Sequence, residues 1–230
     1  MNINEISEMN FQQFRSQSKL IEETNGFEKV FLYENKYIIK IFRHRKLIST
    51  SRLKNKAKQF QDNALTLEKC NIAAAKVIKK FKLKSPEKRY GLVYNYLEGE
   101  TFYDTYKEAS RDSRDSLLKN FFNFFKLLHK KGIYFRSAHL ANIIVQTDGS
   151  FALIDIDNIQ FYKRALSIVQ IFRNFKAILR RKEDYEIFKE IGLTKILHYY
   201  FGNDAPPSFG LLICRWKSHP LHQLSKNKKY

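Results

Sequence analysis

Over residues 37–42 side chains alternate with a period of two, as a half-buried strand requires. Glu34-Asn35 joins two predicted strands, over 27–33 and 36–43. Thr24-Asn25-Gly26 marks a hairpin turn just before them. A helical stretch follows over 50–69, basic at first and apolar later, then two more strands over 77–83 and 90–96. Glu98-Gly99 interrupts the pattern. Beyond it, Leu117, Leu118, Phe121, Phe122, Phe125 and Leu128 recur at helical spacing, predicting an amphipathic helix over 113–131. Short strands are expected over 143–146 and 151–155, around 147–150. Helices are expected over 165–181 and 183–200, and the basic tail over 219–230 is expected to be frayed. A strand-rich first part thus meets a helical second part near residue 97. That predicts the α+β class with two lobes, 1–97 and 98–230.

Composition narrows this reading. With 8 Gly and 4 Pro among 230 residues, a turn-rich β-sandwich is disfavoured. Cys70 and Cys214 lie far apart with no Cys-x-x-Cys partner, which suits free thiols in a reducing compartment and not a zinc site. The polar, acidic N-terminus has no basic and then apolar leader, and no apolar run approaches the ~20 residues of a membrane helix. A cytoplasmic protein is expected. The net charge of +19 attracts a polyanion, such as nucleic acid, an anionic membrane surface or a phosphorylated glycolipid, or else reflects solubility and a codon bias toward Lys.

The segment 142–155 carries the most chemical information. Read as a two-residue turn, Asp148-Gly149 pairs residues whose numbers sum to 297, so Asn142 is predicted to face Asp155. Directly opposed Cβ atoms lie about 4.5–5.5 Å apart. A carboxamide and a carboxylate at that separation can share one hard cation through oxygen. Asp155 also ends an apolar run, where a carboxylate is costly unless paired or metal-bound. The alternative is that Asp155 caps the next turn and Asn142 caps its own loop. Lys40 shares a strand face with Ile38 and Phe42, so its ammonium needs an anion such as a nucleotide phosphate, unless it snorkels from an edge strand.

These pieces occur in the order of a protein-kinase-like fold. Lys40 lies on a strand and a helix follows. Next come a strand and hinge over 91–99, an apolar helix ending at Gly132-Ile133, a loop over 134–142, and Leu153-Ile154-Asp155-Ile156-Asp157. The loop resembles the catalytic H-R-D-L-x-x-x-N, and the last segment resembles D-F-G. The Leu-Ile-Asp-x-Asp form, with residues 60–72 and 76–78, is similar to the lipopolysaccharide kinase (Kdo/heptose kinase) family over roughly residues 20–180. The resemblance implies a phosphotransferase using ATP and Mg²⁺, with Lys40 on the ATP phosphates, Asn142 and Asp155 on Mg²⁺, and backbone of Asn95, Tyr96 and Leu97 receiving adenine. The implied acceptor is a sugar of an anionic glycolipid, the lipopolysaccharide core, met by peripheral contact at the inner leaflet of the membrane.

The chain departs from that pattern at three places. Ser137 stands five residues before Asn142, where the family's catalytic Asp belongs. His139 is the candidate proton acceptor in its stead, or a structural residue, and Arg136 the candidate ligand of an acceptor phosphate, or a brace of the loop. The glycine-rich loop is reduced to Gly26. The ion-pair partner of Lys40 is unassigned among Gln61, Asn63, Glu68, Glu22 and Glu23. Competing expectations are a catalytically inactive kinase-like scaffold, for which Ser137 speaks, a nucleic-acid-binding protein, for which only the charge speaks, and a protein kinase, for which no A-P-E-like segment follows Asp155.

Overall fold

A computed structural model of the chain describes residues 4–43, 56–84 and 89–226. It divides into two units, Met1–Glu98 and Gly99–Tyr230. The mixed α+β class with a strand-rich first unit and a helical second unit is what the hydrophobic patterning predicts.

The first unit is built on a six-stranded sheet with order β1-β5-β6-β4-β3-β2. Its strands are β1 (Asn4–Ser7), β2 (Ser18–Thr24), β3 (Phe27–Tyr33), β4 (Tyr37–Arg43), β5 (Val77–Lys84) and β6 (Arg89–Asn95). Helix α1 (Glu8–Ser16) follows β1, and α2 (Lys56–Lys69) lies between β4 and β5 in sequence. The part of the expected 50–69 helix before Lys56 lies outside the described residues. Period-two alternation divides the sheet into two apolar faces. Phe31, Ile39, Ile41, Phe81 and Leu83 pack with Phe11 of α1 on one face. The other face carries Tyr94, stacked at 5.2 Å on Phe60 of α2. Gly91 on β6 lets the sheet close over Phe81, because a Cβ there would sit 2.1 Å from the Phe81 ring.

β1 and α1 were not expected from the polar N-terminal sequence. β1 pairs in parallel with β5, Asn4 against Phe81, so its partner lies some 77 residues away. Asn25 and Gly26, both at positive φ, form the two-residue β2–β3 turn, with Thr24 opposite Phe27.

The second unit holds a three-stranded sheet, β10-β9-β7, a two-stranded ribbon, β11-β8, and most of the helices. Its strands are β7 (Glu100–Thr101), β8 (Ile133–Phe135), β9 (Ile143–Val145), β10 (Phe151–Leu153) and β11 (Ile159–Phe161). Its helices are α3 (Phe102–Glu108), α4 (Arg111–Lys130), α5 (Ile168–Ile178), α6 (Lys182–Ile191), α7 (Leu193–Phe201), α8 (Pro207–Arg215) and α9 (Pro220–Lys226). Ser110 and Ser167 cap α4 and α5 by accepting backbone N–H bonds, and Ser167 with Gln170 forms a capping box. Phe121, Phe122 and Phe125 of α4 are fully buried and pack with Phe102, Phe175 and Phe188. The single helix expected over 183–200 is two helices, broken at Gly192, whose φ of +80° ends α6. The tail over 220–226 is helical, not frayed, since Leu221 and Leu224 are buried.

The hairpin over 142–155 corrects the predicted register. Val145 pairs with Phe151 and Ile143 with Leu153, so paired numbers sum to 296. The turn uses three residues, 147–149, with Gly149 at φ +79° and its N–H bonded to Gln146 O at 2.9 Å. This is a type I turn closed by a left-handed glycine. Asn142 therefore faces Ile154, not Asp155.

Candidate active site

Two backbone bonds hold the loop 136–142 beside the segment 154–158. Ile154 N–H donates to Asn142 O at 3.0 Å, and Arg136 N–H donates to Asn158 O at 3.1 Å. Each is one step beyond a strand ladder: the first extends β9–β10 and the second extends β8–β11. The loop is thus anchored at both ends, with Ser137 and His139 inside it. Asp155 and Asp157 lie inside the facing segment. Asp155 occupies the left-handed region (φ 52°, ψ 44°), which Asp tolerates better than most residues. The kink turns the chain out of β10 into the 3-10 turn Ile156–Asn158.

Within the loop, hydrogen bonds orient Asn142. Its Nδ2 donates to Ser137 O at 2.9 Å and contacts His139 Nε2 at 2.9 Å. A carbonyl can only accept, so the amide nitrogen must point toward Ser137 and the amide oxygen away from it. His139 Nε2 must then accept, which puts the ring proton on Nδ1. Asn142 is buried and its Oδ1 is directed as a hard oxygen donor, the type Mg²⁺ prefers. Asp155, next to the residue bonded to Asn142, supplies a carboxylate. The donor chemistry therefore fits Mg²⁺. Among the described residues no cluster of three or more His, Cys, Asp or Glu forms a metal site. His139 faces Asn142 with the lone pair it would need as a base, so its arrangement suits positioning of Asn142. Arg136 is exposed at the loop's start.

Side chains from two helices brace the loop, and nothing in the sequence reading had singled them out. Asp184 of α6 is 1 % exposed and accepts a bond from Leu140 N–H at 3.2 Å. Burial pushes its carboxyl up to about 6, against the Leu140 bond and the Arg181 charge. Asn174 of α5, fully buried, donates Nδ2 to Phe135 O at 2.7 Å and accepts from His129 Nε2 at 3.1 Å. His129 Nδ1 meets the Tyr200 hydroxyl at 2.6 Å. Because Asn174 presents its oxygen, His129 carries its proton on Nε2 and accepts from Tyr200. Burial holds His129 down to about 4, and burial raises Tyr200. The signal was available in principle: Asn174 lies between Phe172 and Phe175, and Asp184 shares a helical stripe with Ile187 and Phe188. A polar residue on an apolar stripe needs a buried partner.

The first unit contributes the remaining candidates. Lys40 on β4 is 3 % exposed, flanked on the sheet by Val30 and Leu92. Its Nζ lies 5.6 Å from the Phe60 ring centroid and 5.7 Å from that of Phe42. β4 lies between β6 and β3, so Lys40 is not an edge-strand residue. Two of its candidate partners are engaged elsewhere: Glu68 with Lys76 at 3.5 Å, and Glu22 with Lys29 at 2.6 Å. On α2, Phe60, Asn63 and Leu67 form the buried stripe, so the helix presents a carboxamide to the sheet. At the strand end, Asn95 N–H donates to Lys76 O at 3.2 Å and Tyr96 N–H to Lys36 O at 2.8 Å. Those two amides are engaged within the sheet.

No protein-family model matches the chain, and no curated protein matches it in sequence. Among solved structures it is similar to the Cydia pomonella granulovirus kinase PK-1, at 12% identity and TM-score 0.44, over 75% of this chain and 72% of that one. It is also similar to WbdD, described as a bifunctional kinase-methyltransferase, at 16% identity and TM-score 0.48, over 87% of this chain and 43% of that one. A second WbdD structure, with the kinase inhibitor LY294002, matches at 16% identity and TM-score 0.46, over 87% of this chain and 43% of that one. The chain spans less than half the length of WbdD.

Proposed function

We propose that this chain is an ATP- and Mg²⁺-dependent phosphotransferase whose acceptor is a sugar hydroxyl on an anionic, lipid-linked saccharide of the lipopolysaccharide-core type. The observation that carries this reading is the pair of backbone bonds that aligns the loop 136–142 with the segment 154–158, with the Asn142 amide oriented by Ser137 O and His139. In this role Asn142 Oδ1 and the Asp155 carboxylate hold Mg²⁺. The ion, once bound, would neutralise charge on the phosphates. Lys40 meets ATP phosphates, its desolvated ammonium gaining most from an anion. Backbone at Asn95, Tyr96 and Leu97 receives adenine, and Arg136 meets a phosphate on the acceptor through its planar fork.

Ser137 cannot act as a carboxylate base. Phosphoryl transfer depends mainly on positioning and charge neutralisation, so the missing base slows the reaction without forbidding it. His139 serves by fixing the Asn142 rotamer. The second reading is a kinase-like protein that binds nucleotide without transfer. One substitution of chemistry favours it: Ser137 stands where the resemblance places a catalytic carboxylate.

Transfer of radiolabel from γ-labelled ATP to isolated core glycolipid separates the two. Label in the glycolipid, dependent on Mg²⁺ and lost in Asp155→Ala, is the expected result. Nucleotide binding with no label above the Asp155→Ala background would establish the inactive reading.

A further inference from the structure

Between Asp157 and Glu183 the chain has no carboxylate and carries seven Lys or Arg residues. Helix α5 runs through this stretch and sorts it by face. Its buried side holds Phe172, Asn174, Phe175 and Ile178, and the Asn174 bond to Phe135 O fixes that side against β8. Its outer side holds Val169, Arg173 and Lys176, and Arg180 follows in the turn just after the helix; all four are exposed, at spacings of four, three and four residues. Such spacing makes one continuous stripe along a helix.

The stripe has exposed aromatic company. The Arg173 guanidinium lies 5.6 Å from the Trp216 ring centroid, and Trp216 is 40 % exposed. The stripe also reaches the loop 136–142. Burial raises the Tyr134 phenol, while the charges of Arg136, Arg173 and Arg180 oppose that rise, so all three act on Tyr134 electrostatically. A row of cations with no acidic residue in its own sequence stretch, edged by an exposed valine and a tryptophan, matches the chemistry of a charged bilayer surface. Cations meet lipid phosphates, and Trp sits at headgroup level.

We infer that the outer stripe of α5, with Trp216 beside it, is a docking surface for an anionic bilayer, set so that docking brings Arg136 and its loop to the membrane. This deepens the proposed function, since it says how a soluble phosphotransferase would reach a lipid-linked acceptor, and it rests on that reading only for its purpose. Vesicle binding is measured without any transfer reaction, so the two can fail separately.

The test uses full-length protein with phosphatidylglycerol-containing and pure phosphatidylcholine vesicles. Because a chain of net charge +19 attracts any anionic surface, the control must carry the same charge change. The stripe variant is Arg173→Gln/Lys176→Gln/Arg180→Gln; the control is Lys79→Gln/Lys107→Gln/Lys119→Gln. Each cation at the surface is worth about fivefold in affinity, so the stripe variant should bind phosphatidylglycerol vesicles about a hundredfold more weakly. The control should fall by no more than about threefold. Equal losses in both variants would overturn the assignment. So would a stripe variant that loses binding to single-stranded RNA while keeping vesicle binding. A measurement on the unmodified protein guards against misfolded variants: Trp216 is the sole tryptophan, so brominated phosphatidylglycerol should quench its fluorescence. Absence of quenching on bound vesicles would also overturn it.

Discussion

Acidification sets three buried ionisable groups of the second unit against one another, and the balance yields a slope that can be measured. Burial lowers His129 and His219 from 6.5 to about 4. Burial raises Asp184 from 3.8 to about 6. A depressed histidine contributes stability that is complete above pH 6.5 and lost as pH falls toward 4, about 3.4 kcal/mol for each. Asp184 has the opposite sign: ionised in the fold above pH 6, it costs about 3 kcal/mol, relieved as pH falls from 6 to 3.8. Near pH 5 the unfolded chain holds about 1.8 more protons on the two histidines, and the folded chain about 0.9 more on Asp184. The net is about one proton, so unfolding free energy should fall by about 1.2 kcal/mol per pH unit there.

Asp184→Asn keeps an acceptor for Leu140 N–H and removes the opposing group, so the slope should double to about 2.4 kcal/mol per unit. His129→Gln should bring it close to zero. The assay is urea unfolding between pH 4.5 and 6, followed by fluorescence of Trp216, which lies in the second unit and contacts Phe172. An Asp184→Asn slope equal to or below that of the unmodified protein would refute the assignment of buried, protonatable Asp184.

Further expectations are local. Gly91→Ala should destabilise the first unit by about 1–3 kcal/mol in denaturant melts, because its Cβ meets the Phe81 ring at 2.1 Å; an unchanged midpoint would mean the ring moves freely. Ser137→Asp should raise the transfer rate by about a hundredfold if a base is what the loop lacks, with Mg·ATP affinity unchanged, as measured by radiolabel transfer and calorimetry. A slower enzyme would argue that position 137 does not meet the acceptor. Lys40→Met, similar in volume and uncharged, should weaken ATP binding at least tenfold. Unchanged ATP affinity would remove Lys40 from the nucleotide site.

Elements with strong periodicity were legible in the chain itself: β3, β4, β5, β6 and α4 all follow their apolar spacing closely. The hairpin over 142–155 was legible as a hairpin but not in register. Asp148-Gly149 suits a two-residue turn, yet Gly149 also suits the left-handed end of a three-residue turn, and only the surrounding ladder chooses between them. The consequence is specific. Asn142 and Asp155 are related not by direct opposition but by the bond from Ile154 N–H to Asn142 O and by the left-handed kink at Asp155. β1 and α1 escaped because their chemistry is non-local: Phe11 finds its core in Phe31 and Phe81, and β1 finds its partner in β5. Asp184 and Asn174 escaped for the same reason. Each is an ordinary polar residue until the loop it holds, 44 residues from Asp184, is folded against it.

The proposed activity requires Asn142 and Asp155 to hold a magnesium-bound nucleotide jointly. Thermal unfolding in millimolar Mg·ATP, with and without EDTA, measures that most directly. At a hundredfold excess over its dissociation constant, the ligand should stabilise the unmodified protein by about 2.7 kcal/mol. That gain should vanish with EDTA and in both Asn142→Ala and Asp155→Ala. A protein whose melting temperature does not move with Mg·ATP, or an Asp155→Ala variant that moves as far as the unmodified chain, would contradict it.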